Sequence, residues 1–373
     1  MVFVSIVLVL ALAEIAVRVL GPEDRDRGRS IFILPVDQPD LEYVLEPGAE
    51  RGGRVPIRIN SNGFRDREFT PHKPEGIRRI IVIGDSVVFG LGVQAEETFA
   101  KQLESRLEGA TPPTEVLNLG VGGFDVVNEV AFLEKVGLDF DPDIVVLGLC
   151  INDVGIHSSN ARTLRWLQPV GWITDHSSLV RFALGRVDRT EQTQDFHRLN
   201  EDVAFRRLNQ GRIDSLTGDA DQRARMQRLA LDLAQIDSTP PFAAWYTSPD
   251  KVGRLRHAFG RLAELSRERS FEVWIAVIPY LDEGGAAEIY QQVYAITGHE
   301  ADRAGFGVVQ LREAFAIHGM VDLRRRTRQS EDPLHPNAEG HRLIAEVLER
   351  SLAGARSGGS KAGPRSARPR VLR

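Results

Sequence analysis

The chain has 373 residues, 42% of them hydrophobic, which is enough for one large core or two small ones. Its formal net charge is −5, yet the tail from Arg356 to Arg373 carries Lys and Arg and no acid, so the body is more acidic than the total. An acidic body argues against a nucleic-acid binder, and the single cysteine, Cys150, excludes an internal disulfide.

Val2 to Ala13 is an apolar run broken only by Ser5, and Ile15 to Leu20 extends it past Glu14 with only Arg18 interrupting. That length is marginal for a span of about 20 residues. Glu14 and Arg18 are spaced to pair on a helix, and Ala11-Leu12-Ala13 has the small-x-small pattern of a leader cleavage site. Gly21-Pro22 and the charged run Glu23 to Arg27 then return the chain to water. Residues 1–21 are expected to be a membrane anchor or signal segment, with the remainder exported to the cell envelope.

Residues 28–78 read as a β-rich lead-in. Arg54 to Ile59 partly alternates, and Asn60-Ser61-Asn62-Gly63 forms a turn whose glycine suits a positive φ. No chemistry is expected there.

Residues 79–352 settle into strand–helix alternation. The expected strands are Ile80 to Ile83, Val116 to Leu119, Ile144 to Leu149, Val273 to Ile278 and Val308 to Leu311. Helices are expected over Phe99 to Leu107, Val126 to Val136, Leu255 to Arg269, Ile289 to Arg303 and Ala338 to Ser351. Such alternation predicts an α/β domain with a parallel sheet covered on both faces. The interruption at 155–245 is rich in Arg, Asp and Gln, with helical periodicity at Leu229, Leu233 and Ile236. It is expected to be a mostly helical insertion, a lid or recognition segment above the carboxyl end of the sheet. The Gly/Ser/Pro/Arg tail at 353–373 reads as disordered and basic.

The chemistry lies at strand ends. Ser86 stands on the turn after the first core strand, where open α/β sheets bind ligands. Near the other end, in what reads as a turn entering a helix, Asp332 precedes His335 by three residues. A carboxylate so placed can reach the imidazole Nδ1–H, fix its tautomer and leave Nε2 to take a proton from a hydroxyl. An oxyanion needs fixed donors. Gly120 to Gly123 can present a bare backbone N–H, Asn152 a side-chain amide, and Ser86 its own N–H. The remaining histidines show no metal-ligand spacing and read as surface or capping residues, with His157 a candidate to line the cleft. Asp125 and Asp153 read as structural.

Four ordered blocks carry a resemblance to the SGNH (GDSL-type) hydrolases: Gly84-Asp85-Ser86, Asn118-Leu119-Gly120-Val121-Gly122-Gly123, Asn152-Asp153 and Asp332-Pro333-Leu334-His335-Pro336. The resemblance implies a three-layer, flavodoxin-like fold with a parallel sheet and helices on both faces. It also implies a Ser86-His335-Asp332 triad, an oxyanion hole from Ser86, Gly123 and Asn152, and neither metal nor organic cofactor. A hydrophobic start ahead of such a domain resembles a membrane-anchored bacterial exported subgroup. Two departures stand out: Val87 replaces the usual Leu after Gly-Asp-Ser, and Gly148 to Ile151 replaces the commoner Gly-rich approach to the asparagine. The Gly-x-Ser-x-Gly elbow of the α/β-hydrolases is absent, because Val88 stands where the second glycine belongs.

A serine nucleophile facing an oxyanion hole performs acyl transfer through an acyl-enzyme. With water as acceptor the protein is an esterase acting on small-molecule, glycan or lipid esters. With a sugar hydroxyl it is an O-acyltransferase of an envelope polysaccharide. A catalytically silent carbohydrate-binding module is disfavoured because every catalytic position is filled.

Overall fold

The computed structural model describes Ser5, residues 9–16, 33–52, 55–155, Ser177, Leu179 and residues 219–236, 239–326 and 331–357. At its centre lies a five-stranded, wholly parallel sheet of β5 (Arg78–Gly84), β6 (Thr114–Asn118), β7 (Ile144–Leu149), β8 (Glu272–Val277) and β9 (Gly307–Gln310). Its spatial order is β6-β5-β7-β8-β9. The order reverses between β5 and β7, and the crevice at such a switch point is where doubly wound sheets bind ligands.

The unbroken apolar strands follow from burial on both faces. Ile81, Ile83, Val145 and Leu147 point into one core, while Ile80, Val82, Ile144 and Val146 point into the other. Helices α3 (Val126–Lys135), α4 (Ala220–Leu233), α5 (Pro249–Arg269) and α6 (Ala287–Ala304) supply the first core. Helices α2 (Phe99–Arg106), α7 (Arg312–His318) and α8 (Ala338–Ser357) supply the second. Three layers result, as expected. The short helix α1 (Ser86–Phe89) bridges from β5 into the second core through Val87 and Val88.

The lead-in forms two small antiparallel hairpins, β1 (Ile33–Gln38) with β2 (Leu41–Leu45) and β3 (Glu50–Arg51) with β4 (Ile57–Arg58). Leu41, Tyr43, Leu45, Ile57, Ile59 and Phe64 join the first core, so this segment is part of the fold. The turn glycine Gly63 has φ +85° and donates its N–H to the Asn60 carbonyl, as read from the sequence.

Three stretches depart from the sequence reading. Helix α7 was not expected. The segment bearing Asp332 and His335, expected as a turn entering a helix, is instead a strand, β11 (Glu331–Pro336), antiparallel to β10 (Arg324–Arg326). Helix α8 also runs on to Ser357, into the segment expected to be a disordered tail. The rest of that tail, most of the insertion and His157 lie outside the described residues. Much of the expected anchor does too. Residues 9–16 are helical, but no helix among the described residues is long and apolar enough to cross a membrane.

Candidate active site

Ser86 is the first residue of α1, directly beyond β5. Asp85 caps the helix, its Oδ1 accepting the Val87 N–H at 2.8 Å. The chain turns this sharply because small residues surround Val88. A Cβ at Gly84 would lie 2.2 Å from Val88 Cγ2 and 2.8 Å from the Gly148 carbonyl oxygen. A Cβ at Gly120 would strike the α1 backbone itself, 2.2 Å from Phe89 N. Gly120 therefore serves close packing, whereas Gly123, at φ +84°, shapes the turn.

The far end of α1 is held by a residue the sequence reading passed over. The guanidinium of Arg65, 1% exposed, donates to the carbonyls of Phe89, Gly90 and Val93 at 3.0, 2.6 and 2.7 Å. Burial lowers its pKa to about 10, still well above neutrality. Its neighbour Asp66 accepts the Asn118 N–H at 2.8 Å and pairs with Lys101 at 2.9 Å, fixing the end of β6. The lead-in thus supports the site although it brings no reacting group.

Ser86 Oγ lies 2.7 Å from His335 Nε2, and His335 Nδ1 lies 2.8 Å from Asp332 Oδ2. These three residues, from opposite ends of the chain, make one hydrogen-bonded row. Residues three apart on a regular strand point to opposite faces. Here the register shifts: Arg324 pairs with Pro336 but Arg325 with Asp332, so 333–335 bulge out of the ladder and the imidazole swings back over the carboxylate. Pro333, which has no N–H to contribute to a ladder, suits this bulge, and its carbonyl accepts the Leu281 N–H at 2.8 Å. Asp332 Oδ1 accepts the N–H groups of Leu334 and His335 at 3.2 and 3.3 Å. Burial pushes this carboxyl up, but the hydrogen bond and charge of His335, then those of Arg325, outweigh it and hold Asp332 well below the usual carboxylate range.

The three expected oxyanion donors sit at neighbouring strand ends. Among the described residues, the backbone N–H groups of Ser86 and Gly123 have no internal acceptor. Asn152, 8% exposed at the end of β7, donates one amide N–H to Asp85 Oδ2 at 3.3 Å, which leaves its second N–H. Tyr43 Oη donates to the Gly122 carbonyl at 2.8 Å and fixes the glycine turn. A Cβ at Gly123 would lie 2.8 Å from that hydroxyl, so a larger residue there has to displace it.

Under this row sits a buried acidic cluster. Asp85, Asp125, Glu129 and Asp153 are each at most 2% exposed. Asp125 caps α3 through Val127 and Asn128 and pairs with Arg254 at 2.6 Å, while Asp153 accepts the Cys150 N–H. These are the structural roles expected for them. Among the described residues Glu129 has no partner for either oxygen; burial first, then the charges of Asp85 and Asp125, push its carboxyl far up. Burial and Glu129 do the same to Asp153. Burial also raises the Cys150 thiol well above its ordinary value, which removes it as a competing nucleophile.

His341 takes the capping alternative rather than the surface one: 1% exposed, it accepts at Nδ1 the N–H of Phe99, the first residue of α2, and stacks on the Phe99 ring. Among the described residues, no group of three or more His, Cys, Asp or Glu is arranged to hold a metal ion.

A family model described as GDSL-like Lipase/Acylhydrolase family matches residues 82–343, well over half of the chain. No curated protein matches. Among solved structures, the chain is similar to an α/β hydrolase enzyme, LAE5, from the metagenome of Lake Arreo, at 14% identity over 74% of this chain and 95% of that one (TM-score 0.41). It is also similar to a lipase/acylhydrolase from Enterococcus faecalis, at 15% identity over 78% of this chain and 100% of that one (TM-score 0.41). A third likeness is to a catalytic mutant of Axe2, an acetylxylan esterase from Geobacillus stearothermophilus, at 13% identity over 74% and 94% of the two chains (TM-score 0.41).

Proposed function

Since the chain belongs to the GDSL-like lipase/acylhydrolase family and is an ester-bond hydrolase, we propose that it cleaves carboxylic esters through an acyl-enzyme on Ser86. His335 Nε2 takes the Ser86 proton as Oγ attacks the ester carbonyl. The tetrahedral oxyanion is met by the N–H groups of Ser86 and Gly123 and the free amide N–H of Asn152. His335 passes the proton to the leaving alcohol, then activates a water that releases the acid and restores Ser86. Asp332 keeps Nδ1 protonated and stabilises the imidazolium without taking its proton.

The observation that carries this reading is the row Ser86 Oγ, His335 Nε2 at 2.7 Å and Asp332 Oδ2 at 2.8 Å from Nδ1. The test is turnover of p-nitrophenyl esters of graded acyl length, with Ser86→Ala as the blank and a fluorophosphonate as the trap. Labelling of Ser86 in the wild type and loss of turnover in the mutant are expected; undiminished turnover in Ser86→Ala overturns the reading. Acetate release with and without an added sugar acceptor separates hydrolysis from transfer to a polysaccharide hydroxyl.

The N-terminal segment is proposed to hold the enzyme at a membrane, facing the cell envelope. The apolar run at Val2 to Ala13 supports this, as do Val9, Leu10, Leu12 and Ile15, each more than half exposed on the helical stretch 9–16. Recovery of the full chain in the membrane fraction, resisting alkaline extraction, is expected; a freely soluble full chain overturns it. The insertion at 155–245 is proposed as a lid or recognition segment, supported by α4 and by the buried turn Ala243–Thr247 packed on α4 and α5.

A further inference from the structure

We propose that Arg325 is a positioning residue for the reaction, a strap that locks the Asp332 carboxylate against His335 and offsets part of its charge. The inference rests on the reading of Ser86, His335 and Asp332 as the catalytic row. Arg325 is opposite Asp332 in the β10–β11 hairpin. Its Nε donates to Asp332 Oδ2 at 3.0 Å, and its Nη2 donates to that same oxygen. This is the oxygen that faces His335 Nδ1, so Oδ2 meets three donors and Oδ1 two. A carboxylate so saturated cannot rotate away from the imidazole.

The stem of Arg325 reaches the site over the loop that follows α1. Gly92, at φ +95°, leaves the lane open: a Cβ there would lie 2.1 Å from Arg325 Cδ. Arg325 therefore passes directly over the nucleophile's own loop on its way to the acid.

The consequence is electrostatic. A lone carboxylate at Nδ1 favours the imidazolium in the resting enzyme as well as in the transition state, and a resting imidazolium cannot take the Ser86 proton. The guanidinium offsets part of that charge, so its loss is read in the acid limb of the rate profile. Other charged or titratable groups face the row from every side. Asp85 lies 3.4 Å from Ser86 Oγ. His341, on α8, feels the charges of His335 and Arg65. Tyr280, beyond β8, feels Asp332. Arg324 is already paired with Asp282 and Glu331. All of these persist when Arg325 is replaced, so a difference between variants reads Arg325.

The experiment is kcat/KM for p-nitrophenyl acetate from about pH 5 to about pH 9, with the folded state of each variant checked by its melting transition. In Arg325→Met the acid limb is expected to move up by about one pH unit, with a several-fold loss at the plateau. In Arg325→Lys, which keeps the charge but not the fork, the limb stays at its wild-type position while the plateau still falls. Arg325→Gln carries the limb test if the Met variant does not fold. An unmoved limb in the neutral variants, or a limb that moves as far in Arg325→Lys, overturns the proposal while inactivity of Ser86→Ala leaves the triad reading standing. Full turnover in Ser86→Ala overturns both.

Discussion

Tyr43 and Gly122, 79 residues apart, are joined by a 2.8 Å hydrogen bond from the tyrosine hydroxyl to the glycine carbonyl. The bond pins the peptide turn that presents the Gly123 N–H, and the phenol ring is anchored in turn against Phe124, with centroids 5.1 Å apart.

Tyr43→Phe keeps the ring and removes only that donor. It is expected to lower stability by about 1 kcal/mol. If Gly123 is an oxyanion donor, kcat also falls roughly three- to tenfold with KM little changed, because a loosened donor is felt in the transition state. Steady-state kinetics on one ester decide it; an unchanged kcat removes Gly123 from the hole.

Asp332→Asn leaves the shape of the row but reverses the hydrogen bond at Nδ1, favouring the wrong tautomer. A loss of roughly 10³- to 10⁴-fold in kcat is expected. The carboxyl is held well below its usual range by His335 and Arg325. Its contribution to stability is therefore full above the unfolded pKa of about 4 and is lost as the pH falls through that value and below. Denaturant titrations should show the wild type ahead of Asp332→Asn near neutrality, with the gap closing in acid. A gap independent of pH overturns this.

Glu129→Gln tests the acidic cluster with the opposite sign. A carboxyl pushed up by burial, with neither oxygen partnered among the described residues, stabilises the fold fully below its unfolded pKa. That stabilisation drains away as the pH rises toward its folded value. The amide cannot ionise and can donate to the neighbouring carboxylates. The mutant is expected to match the wild type near pH 5 and to gain about 1 kcal/mol or more on it by about pH 8. A difference that stays constant across that range counts against a protonated Glu129.

Two glycines make a matched pair. In Gly120→Ala the new Cβ meets α1 backbone at 2.2 Å, so a loss of about 2 to 4 kcal/mol and displacement of Ser86 are expected. In Gly253→Ala, inside α5 with nothing within 4 Å, a gain of up to about 1 kcal/mol is expected with activity unchanged. Melting temperatures and ester turnover, measured side by side, test both.

The parallel sheet was legible because its strands are buried on both faces and therefore carry their signal in composition alone. Ile144–Leu149 is observed as read, and Ile80 to Ile83 gains only its two arginines and a glycine. Helices α3, α5 and α6 were legible from their periodicity, their ends shifting by a few residues where caps such as Asp125 decide. The positions of Ser86 and Asn152 followed from local motifs at strand ends, and that of His335 from its spacing to Asp332.

The Arg324–Arg326 and Glu331–Pro336 hairpin was not legible. Three arginines and two prolines carry no strand alternation, and what holds the pair is ionic and lies across the ladder. The contributions of Tyr43, Arg65 and Arg325 were hidden for the same reason: each acts on a partner remote in the chain or in register, through a hydrogen bond that leaves no periodicity behind. Burial on two faces writes itself into every residue of a strand, so the sequence alone determined the sheet and the groups at its carboxyl edge. A single long-range contact constrains one residue only, so the orientation of Asp332, the seat of the glycine turn and the cap on the serine helix were decided by the tertiary structure.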